Sequence, residues 1–489
     1  MKDATAARLR GSRPTPRPTV RGAPPKAVAR SPIERASPND VMQLASDSSS
    51  SPMQVAGILV LDTASCGFDG TAARDAIAQR IRGIPRLRQR LIRVPFGHGR
   101  PIWVDDPDFD IKNHVREVRC PVPGDEDALL GVAAEILTHP LPAGRPLWSA
   151  TFIIGLAHDR TALIVVFHHV VADGIGGLAV LANLVDGAAR PPESDSPRPW
   201  PSRWAVFLDA LITRLRVLAQ LPSAPRRLRG AVAELRAAGA GRAPRCSLNR
   251  PTGPRRRFGI VRADLTRVRA VAHAHGATVN DVVLTAVAGA LHAVLRARGE
   301  TVETFVVSVP VSARREASAA QLGNEVGVIP LALPTTGDPV QRLETVNRIS
   351  REGKSAPRAA SAALVEPVTR ALAWLGLFRW FVDRQRLVTT FVTNLRGPEA
   401  RLSFLGTTIA DVIAVTSVTG NVTVAFAVLS YAGTLAVTVI ADPETCPDLP
   451  VVVDELQREL DVLTQSEPDT SCHTPRRECH ALGHGQVHA

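Results

Sequence analysis

The sequence predicts a mixed α/β (α+β) fold in two lobes. Three observations carry this reading. Strand-like apolar runs alternate with amphipathic helical stretches from about residue 37 to residue 188. A Pro-rich break follows at 189–202, Ala-Arg-Pro-Pro-Glu-Ser-Asp-Ser-Pro-Arg-Pro-Trp-Pro-Ser. A second series of helices and strands then runs from 257 to 465. With 489 residues, 45% of them hydrophobic, the chain is long enough to bury a large core.

In order along the chain, residues 1–36 are rich in Arg, Pro and Ala without apolar periodicity, and read as a disordered basic tail. Order is expected from Ser37, where Ser37 or Asn39 caps a short helix. In the first lobe, 37–188, Val55–Leu61 reads as a strand, Ala72–Arg82 and Asp125–Leu137 as helices, and Thr151–Gly155 and Leu163–Phe167 as strands. Ile175–Val185 is helix-like. The connection 189–256 contains an amphipathic helix from Trp204 to Leu221, with Arg214 and Arg216 set among Val206, Leu208, Leu211, Leu215 and Leu218. In the second lobe, 257–465, Thr278 caps a helix over Val282–Leu295. Phe305–Val309, Val326–Leu333, Val422–Ser430 and Thr434–Ile440 are strands, and Val451–Leu463 is a closing helix. Residues 466–489 read as a disordered tail.

The net charge of +12 is unevenly spread. Residues 1–30 carry eight Lys/Arg and one acid, and 224–257 carry ten Arg and one Glu, so the rest of the chain is mildly acidic. No zinc-finger, RNA-recognition or basic-zipper pattern accompanies the charge, which argues against nucleic acid. An anionic membrane surface or a phosphorylated cofactor suits two local basic segments better. The six cysteines form no Cys-x-x-Cys pair, and a reducing cytoplasm is the simpler reading. The N-terminus lacks a signal-peptide apolar region, and no transmembrane helix is expected. Cys472-His473, Cys479-His480, His484 and His488 match no closed zinc site, so no metal is assigned.

The chemistry-bearing string is His168-His169-Val170-Val171-Ala172-Asp173-Gly174, at the end of the apolar run Leu163–Phe167. A histidine of near-neutral pKa at a strand end is placed to take a proton from a hydroxyl or thiol. Asp173, four residues on, fixes the loop or holds the imidazole tautomer. The competing structural reading is a packed histidine pair.

With its neighbours, this string resembles the active-site motif of the bacterial wax ester synthase/diacylglycerol acyltransferase family, within the two-lobed CoA-dependent acyltransferases. Ser51-Pro52-Met53-Gln54-Val55, Trp103 to Asp110 with His114-Val115-Arg116, Pro146-Leu147-Trp148, Asn280-Asp281, Gly323-Asn324 and Leu429 to Gly433 carry the likeness over about residues 37–463. The chain departs from the family pattern at Gln54, where the family has His, at Ser149, where it has an acid, and at Leu395-Arg396, where Val-Pro is common.

The resemblance implies two chloramphenicol-acetyltransferase-like lobes with the active site in a channel between them. It implies acyl-CoA as co-substrate with no bound cofactor, and diacylglycerol or a fatty alcohol as acceptor. His169 is then the general base, with His168, Asp173 and Gly174 supporting it. Asn280, Thr393 and Asn394 are the candidates for stabilising the oxyanion. Asp281 and Pro146-Leu147-Trp148 are supporting residues, the latter as channel wall. Arg314 and Arg396 are candidate partners for Asp173. Arg255-Arg256-Arg257 is a candidate for CoA phosphates, a solvated loop being the alternative. Long-chain substrates imply peripheral contact with a membrane or lipid droplet, through Trp204–Arg229 and the aromatic stretch Ala371–Phe381, unless those aromatics are core. Two other readings remain open: a condensation-type enzyme using carrier-protein thioesters, and a weakly catalytic droplet-binding protein. Oligomeric state is not legible.

Overall fold

A computed structural model describes residues 33–48, 50–64, 67–188, 197–219, 242–312, 326–355, 372 and 375–465. Two six-stranded sheets and one three-stranded sheet organise these residues. The described residues begin at Ile33, four residues before Ser37. The short strand β1 (Glu34–Arg35) pairs antiparallel with β4 (Ile102–Asp105), which in turn pairs with β3 (Gln89–Ile92). Ser37 caps α1 (Pro38–Ser46) in a capping box with Asp40.

The first large sheet has the order β12-β13-β2-β7-β6-β5. Its middle is β2 (Gln54–Asp62), β7 (Arg160–His168) and β6 (Trp148–Leu156), flanked by β5 (Val115–Arg119). All residues of β7 except Arg160 are buried, which explains its unbroken apolar sequence. The helices α2 (Gly70–Arg80), α3 (Glu126–Thr138) and α4 (Gly174–Leu184) belong to this lobe. Its other edge comes from far along the chain: β13 (Thr407–Val415) pairs onto β2, and β12 (Ser403–Phe404) onto β13. The second lobe is therefore not the uninterrupted stretch 257–465 that the sequence suggested. Pairing partners so remote leave no local trace.

The second sheet has the order β10-β9-β11-β14-β15-β8. It contains β8 (Arg257–Asp264), β9 (Thr304–Ser312), β10 (Val326–Pro334), β11 (Thr390–Arg396), β14 (Val424–Tyr431) and β15 (Thr434–Ala441). The helices of this lobe are α6 (Leu265–Ala274), α7 (Val279–Ala297), α8 (Pro339–Ser355) and α10 (Leu449–Gln465), with the short α9 (Phe378–Val382) before β11. Strand β14 is buried at every position because it has two apolar neighbours. Val424, Phe426 and Val428 join α7 and α10 in the second-lobe core, while Ala425, Ala427 and Leu429 join the core of the first lobe.

Among the described residues, helix α7 alone is long and apolar enough to cross a membrane, and it is largely buried inside the second lobe, as a core helix is. The connection 189–256 also divides where it is described. Arg198 chelates the Asp105 carboxylate and Trp200 donates to the Asp105 carbonyl, fastening that part to the first lobe. Helix α5 (Arg203–Ala219) follows. Further on, Leu248 sits in the second-lobe core and Arg298 holds Ser247.

Candidate active site

Strand β7 ends at His168, and five residues, 169–173, turn away before α4 begins at Gly174. Backbone hydrogen bonds fix the turn. His168 N–H donates to the Leu147 carbonyl at 3.0 Å, and His169 N–H donates to the Met53 carbonyl at 2.7 Å. The pair is thus held from the residues that lead into both neighbouring strands, β6 and β2. This is the role the structure gives to Leu147. Pro146 and Trp148 frame it. Trp148 is buried, stacks on His114 with centroids 4.7 Å apart, and donates through Nε1 to the Leu87 carbonyl at 2.7 Å.

The two imidazoles differ in surroundings. His168 is buried, and its Nδ1 accepts from the Val170 N–H at 3.1 Å, which puts the ring proton on Nε2. That nitrogen lies 3.4 Å from Oδ2 of Asp47, at ion-pair range but longer than a good hydrogen bond. Asp47 is the C-cap of α1, and its Oδ1 accepts from the Met53 N–H at 2.9 Å. Burial raises the Asp47 carboxyl, but His168 and the Met53 N–H outweigh it and hold the group below the ordinary carboxylate range. Asp47 was not among the sequence candidates. It lies in a Ser-rich stretch that reads as a polar connection, although its position before Pro52-Met53 was visible.

His169 is half-buried. Burial pushes its imidazole below the ordinary histidine value, against opposing contributions from its own backbone and the Asp173 charge. A ring kept neutral at neutral pH is the form a general base requires. Asp173 is buried and caps α4, its Oδ1 accepting from Gly176 N–H at 2.8 Å. It therefore shapes the loop, one of the two roles expected of it. Of its proposed partners, Arg396 turns to solvent and pairs with Glu399 at 3.4 Å instead, because its strand ends at the surface. Arg314 lies outside the described residues.

Gly174 touches the other lobe. A Cβ placed there would lie 3.0 Å from Cδ2 of Leu395 and 3.6 Å from Cγ2 of Thr393. Thr393 and Leu395 thus face the motif from β11, as strand alternation requires of residues two apart. Asn394 points the other way, and its Nδ2 donates to Oδ1 of Asn280 at 3.3 Å. Asn280 stands in the first turn of α7, where Thr278 and Asp281 form a capping box. Asp281 is buried, with Thr278 N–H and Oγ1–H on its Oδ2. Of the three oxyanion candidates, the geometry brings Thr393 to the motif side of β11. Asn280 and Asn394 are brought to each other on the α7 side.

The departures from the family pattern have structural accounts. Gln54 is opposite His168 in the β2–β7 register, and its Nε2 donates to the carbonyls of Leu137 and His139 at 2.7 and 2.9 Å. Ser149 is half-buried on β6. The arginine triplet does not converge on one site. Arg255 pairs with Glu444 at 3.1 Å, Arg256 turns onto Ser51 Oγ at 2.9 Å, and Arg257 is exposed at the start of β8. In the aromatic stretch, Phe378 is buried and Phe381 half-buried, whereas Leu375, Leu377 and Trp380 are exposed. Trp374, Gly323-Asn324 and the His/Cys tail lie outside the described residues.

Two family models match the chain. The wax ester synthase/diacylglycerol acyltransferase catalytic domain matches residues 36–283, and the WS/DGAT C-terminal domain matches residues 322–464. The probable diacylglycerol O-acyltransferase tgs1 of Mycobacterium tuberculosis is 31% identical over 399 residues, which are 78% of this chain and 85% of that protein. Among solved structures, the wax ester synthase/diacylglycerol acyltransferase from Marinobacter aquaeolei VT8 superposes with a TM-score of 0.64 at 24% identity, over 88% of this chain and 98% of that one. The first condensation domain of the CDA synthetase superposes with a TM-score of 0.60 at 20% identity, over 89% of this chain and 96% of that one.

Proposed function

The chain belongs to the wax ester synthase/diacylglycerol acyltransferase family, and from this we propose that it transfers a long-chain acyl group from acyl-CoA to a lipid hydroxyl. The acceptor is diacylglycerol, giving triacylglycerol, or a fatty alcohol, giving wax ester. The observation that carries the mechanism is His169, fixed through its backbone to Met53 and held neutral by burial, in a motif whose Gly174 meets β11. His169 takes the proton from the acceptor hydroxyl as that oxygen attacks the thioester carbonyl. The C–O bond forms and a tetrahedral oxyanion results. Collapse breaks the C–S bond, and the histidine returns the proton to the departing CoA thiolate. No acyl-enzyme is needed, so the chemistry requires no nucleophilic Ser or Cys.

His168 and Asp47 act through position. Their contact, together with Asp47 on the Met53 N–H, ties both histidine backbones to one loop. Thr393 is our candidate for the oxyanion donor, because it shares the motif side of β11 with Leu395 and stands beside Gly174. Water-insoluble acceptors place the reaction at the surface of a membrane or lipid droplet.

The test is CoA-thiol release from palmitoyl-CoA, with hexadecanol and dioleoylglycerol offered separately. Release should depend on an acceptor and fall by about a hundredfold or more in His169→Ala. Full activity in that variant refutes the mechanism. No release with either acceptor, but turnover of a carrier-bound thioester, makes the protein a condensation-type enzyme.

A further inference from the structure

Helix α5 shows solvent its apolar side. Trp204, Leu208, Leu211 and Leu215 recur at helical spacing along one stripe, with Ile212 beside it, and all five are exposed. Trp204 is 77% exposed, Leu208 54% and Leu215 56%. The opposite side is the one that packs. Val206 and Ala210 are buried, and Arg35 grips the helix through Asp209 at 2.5 Å and the Val206 carbonyl at 2.8 Å. The orientation of the stripe is thus set by specific contacts on the other face.

A separate segment extends the patch. The turn between β3 and β4 carries Phe96, which is 94% exposed. That turn packs on α5. The His98 ring meets Phe207 at 5.5 Å, Phe207 meets Trp204 at 5.6 Å, and Arg35 Nη1 donates to the His98 carbonyl at 2.9 Å. Two segments about a hundred residues apart therefore present their least soluble side chains together. Patches of this kind on soluble surfaces mark interaction sites.

Charge identifies the occupant. Arg93, Arg203, Arg214 and Arg216 are exposed around the patch. The helix has one carboxylate, Asp209, and Arg35 neutralises it on the buried side. The sequence continues after the helix with Arg226, Arg227 and Arg229. A stripe of Trp and Leu bordered by arginine suits the headgroup boundary of an anionic bilayer, to which each basic residue adds attraction.

We propose that the α5 stripe and Phe96 form the docking surface that seats this enzyme on anionic lipid bilayers. The proposal rests on the lipid-acyltransferase reading for its purpose, but its test reads binding without turnover. Full-length protein is floated with vesicles of phosphatidylcholine containing a third phosphatidylglycerol, and with phosphatidylcholine alone. The wild type should float with the anionic vesicles and far less with the neutral ones. Phe96→Ser/Trp204→Ser/Leu208→Ser/Leu215→Ser should weaken flotation about tenfold or more. Arg214→Gln/Arg216→Gln should narrow the difference between the two vesicle types. All replaced side chains are exposed, so circular dichroism and CoA release with a water-soluble short-chain alcohol should be unchanged.

A wild type that stays in solution, or an apolar variant that floats as well as the wild type, overturns the proposal. So does a concentration-dependent dimer in sedimentation that the apolar variant abolishes, which would give the stripe to a second copy. Flotation that behaves as expected in a protein with no transferase activity would instead overturn the acyltransferase reading alone.

Discussion

At the scale of single residues, the site depends on how two adjacent histidines are kept different. His169 has a lowered pKa because its surroundings withdraw much of the ring from water. A lowered histidine stays neutral to more acid pH, so its base form is full above the ordinary value of about 6.5 and disappears only as pH falls through the lowered value. The acid limb of kcat against pH should therefore lie below 6.5, and a limb at or above it would contradict the burial argument. Asp47 makes a different prediction. Asp47→Asn keeps an acceptor for the Met53 N–H but can turn an N–H toward His168 Nε2, where a proton already sits. We expect kcat to drop about tenfold with KM little changed, and Asp47→Glu to recover part of the loss. Equal losses in Asn and Glu variants, in step with thermal stability, would reduce Asp47 to a structural residue. His169 and Asp173 were legible in the sequence because a strand end and a helix cap are local features, whereas the approach of Gly174 to Leu395 crosses more than two hundred residues and was not. Asp47 was not, because its link to His168 crosses more than a hundred residues.

At the scale of elements, the strands next to β7 position the motif as much as the motif itself does. β6 does so through Pro146-Leu147-Trp148. The Leu147 carbonyl holds His168 N–H, while Trp148 anchors the strand through the Leu87 carbonyl and the His114 ring. Trp148→Ala removes a buried indole and should cost about 3–5 kcal/mol. Thermal denaturation measures this, and a loss under about 1 kcal/mol would mean that the site collapses around the gap. Patterning recovered the strands whose apolar runs are continuous, such as β7, β14 and β15. It missed β4, which carries Asp105 inside the lobe because Gln89 and Arg198 satisfy that carboxylate. It missed β11 too, where Thr393 and Asn394 break the apolar run at the site itself.

At the scale of the whole molecule, the lobes share both chain and core. Strands β12 and β13 leave the second lobe to complete the first sheet, and the chain returns to form β14 in the second. Phe258, Ala425, Ala427, Leu429 and Ile440 of the second lobe belong to the same apolar cluster as Ile58, Val165 and Phe167. Arg262 on β8 adds a polar clasp, reaching Asp411 on β13 at 2.8 Å and Glu126 on α3. Neither lobe can lose its partner without exposing that seam and unpairing β13, so the two should unfold together. Calorimetry of the full chain should give one cooperative endotherm, and two well-separated ones would show that the seam is weaker than its burial implies. Arg262→Ala is a milder perturbation. The guanidinium is about a third exposed, so solvent screens the clasp and its loss should cost only about 1 kcal/mol. The endotherm should move down by a few degrees at most without splitting, because apolar burial and strand pairing, rather than charge, hold the lobes together. A split endotherm in Arg262→Ala would reverse that ranking and make the Arg262–Asp411 pair the principal tie across the active-site junction.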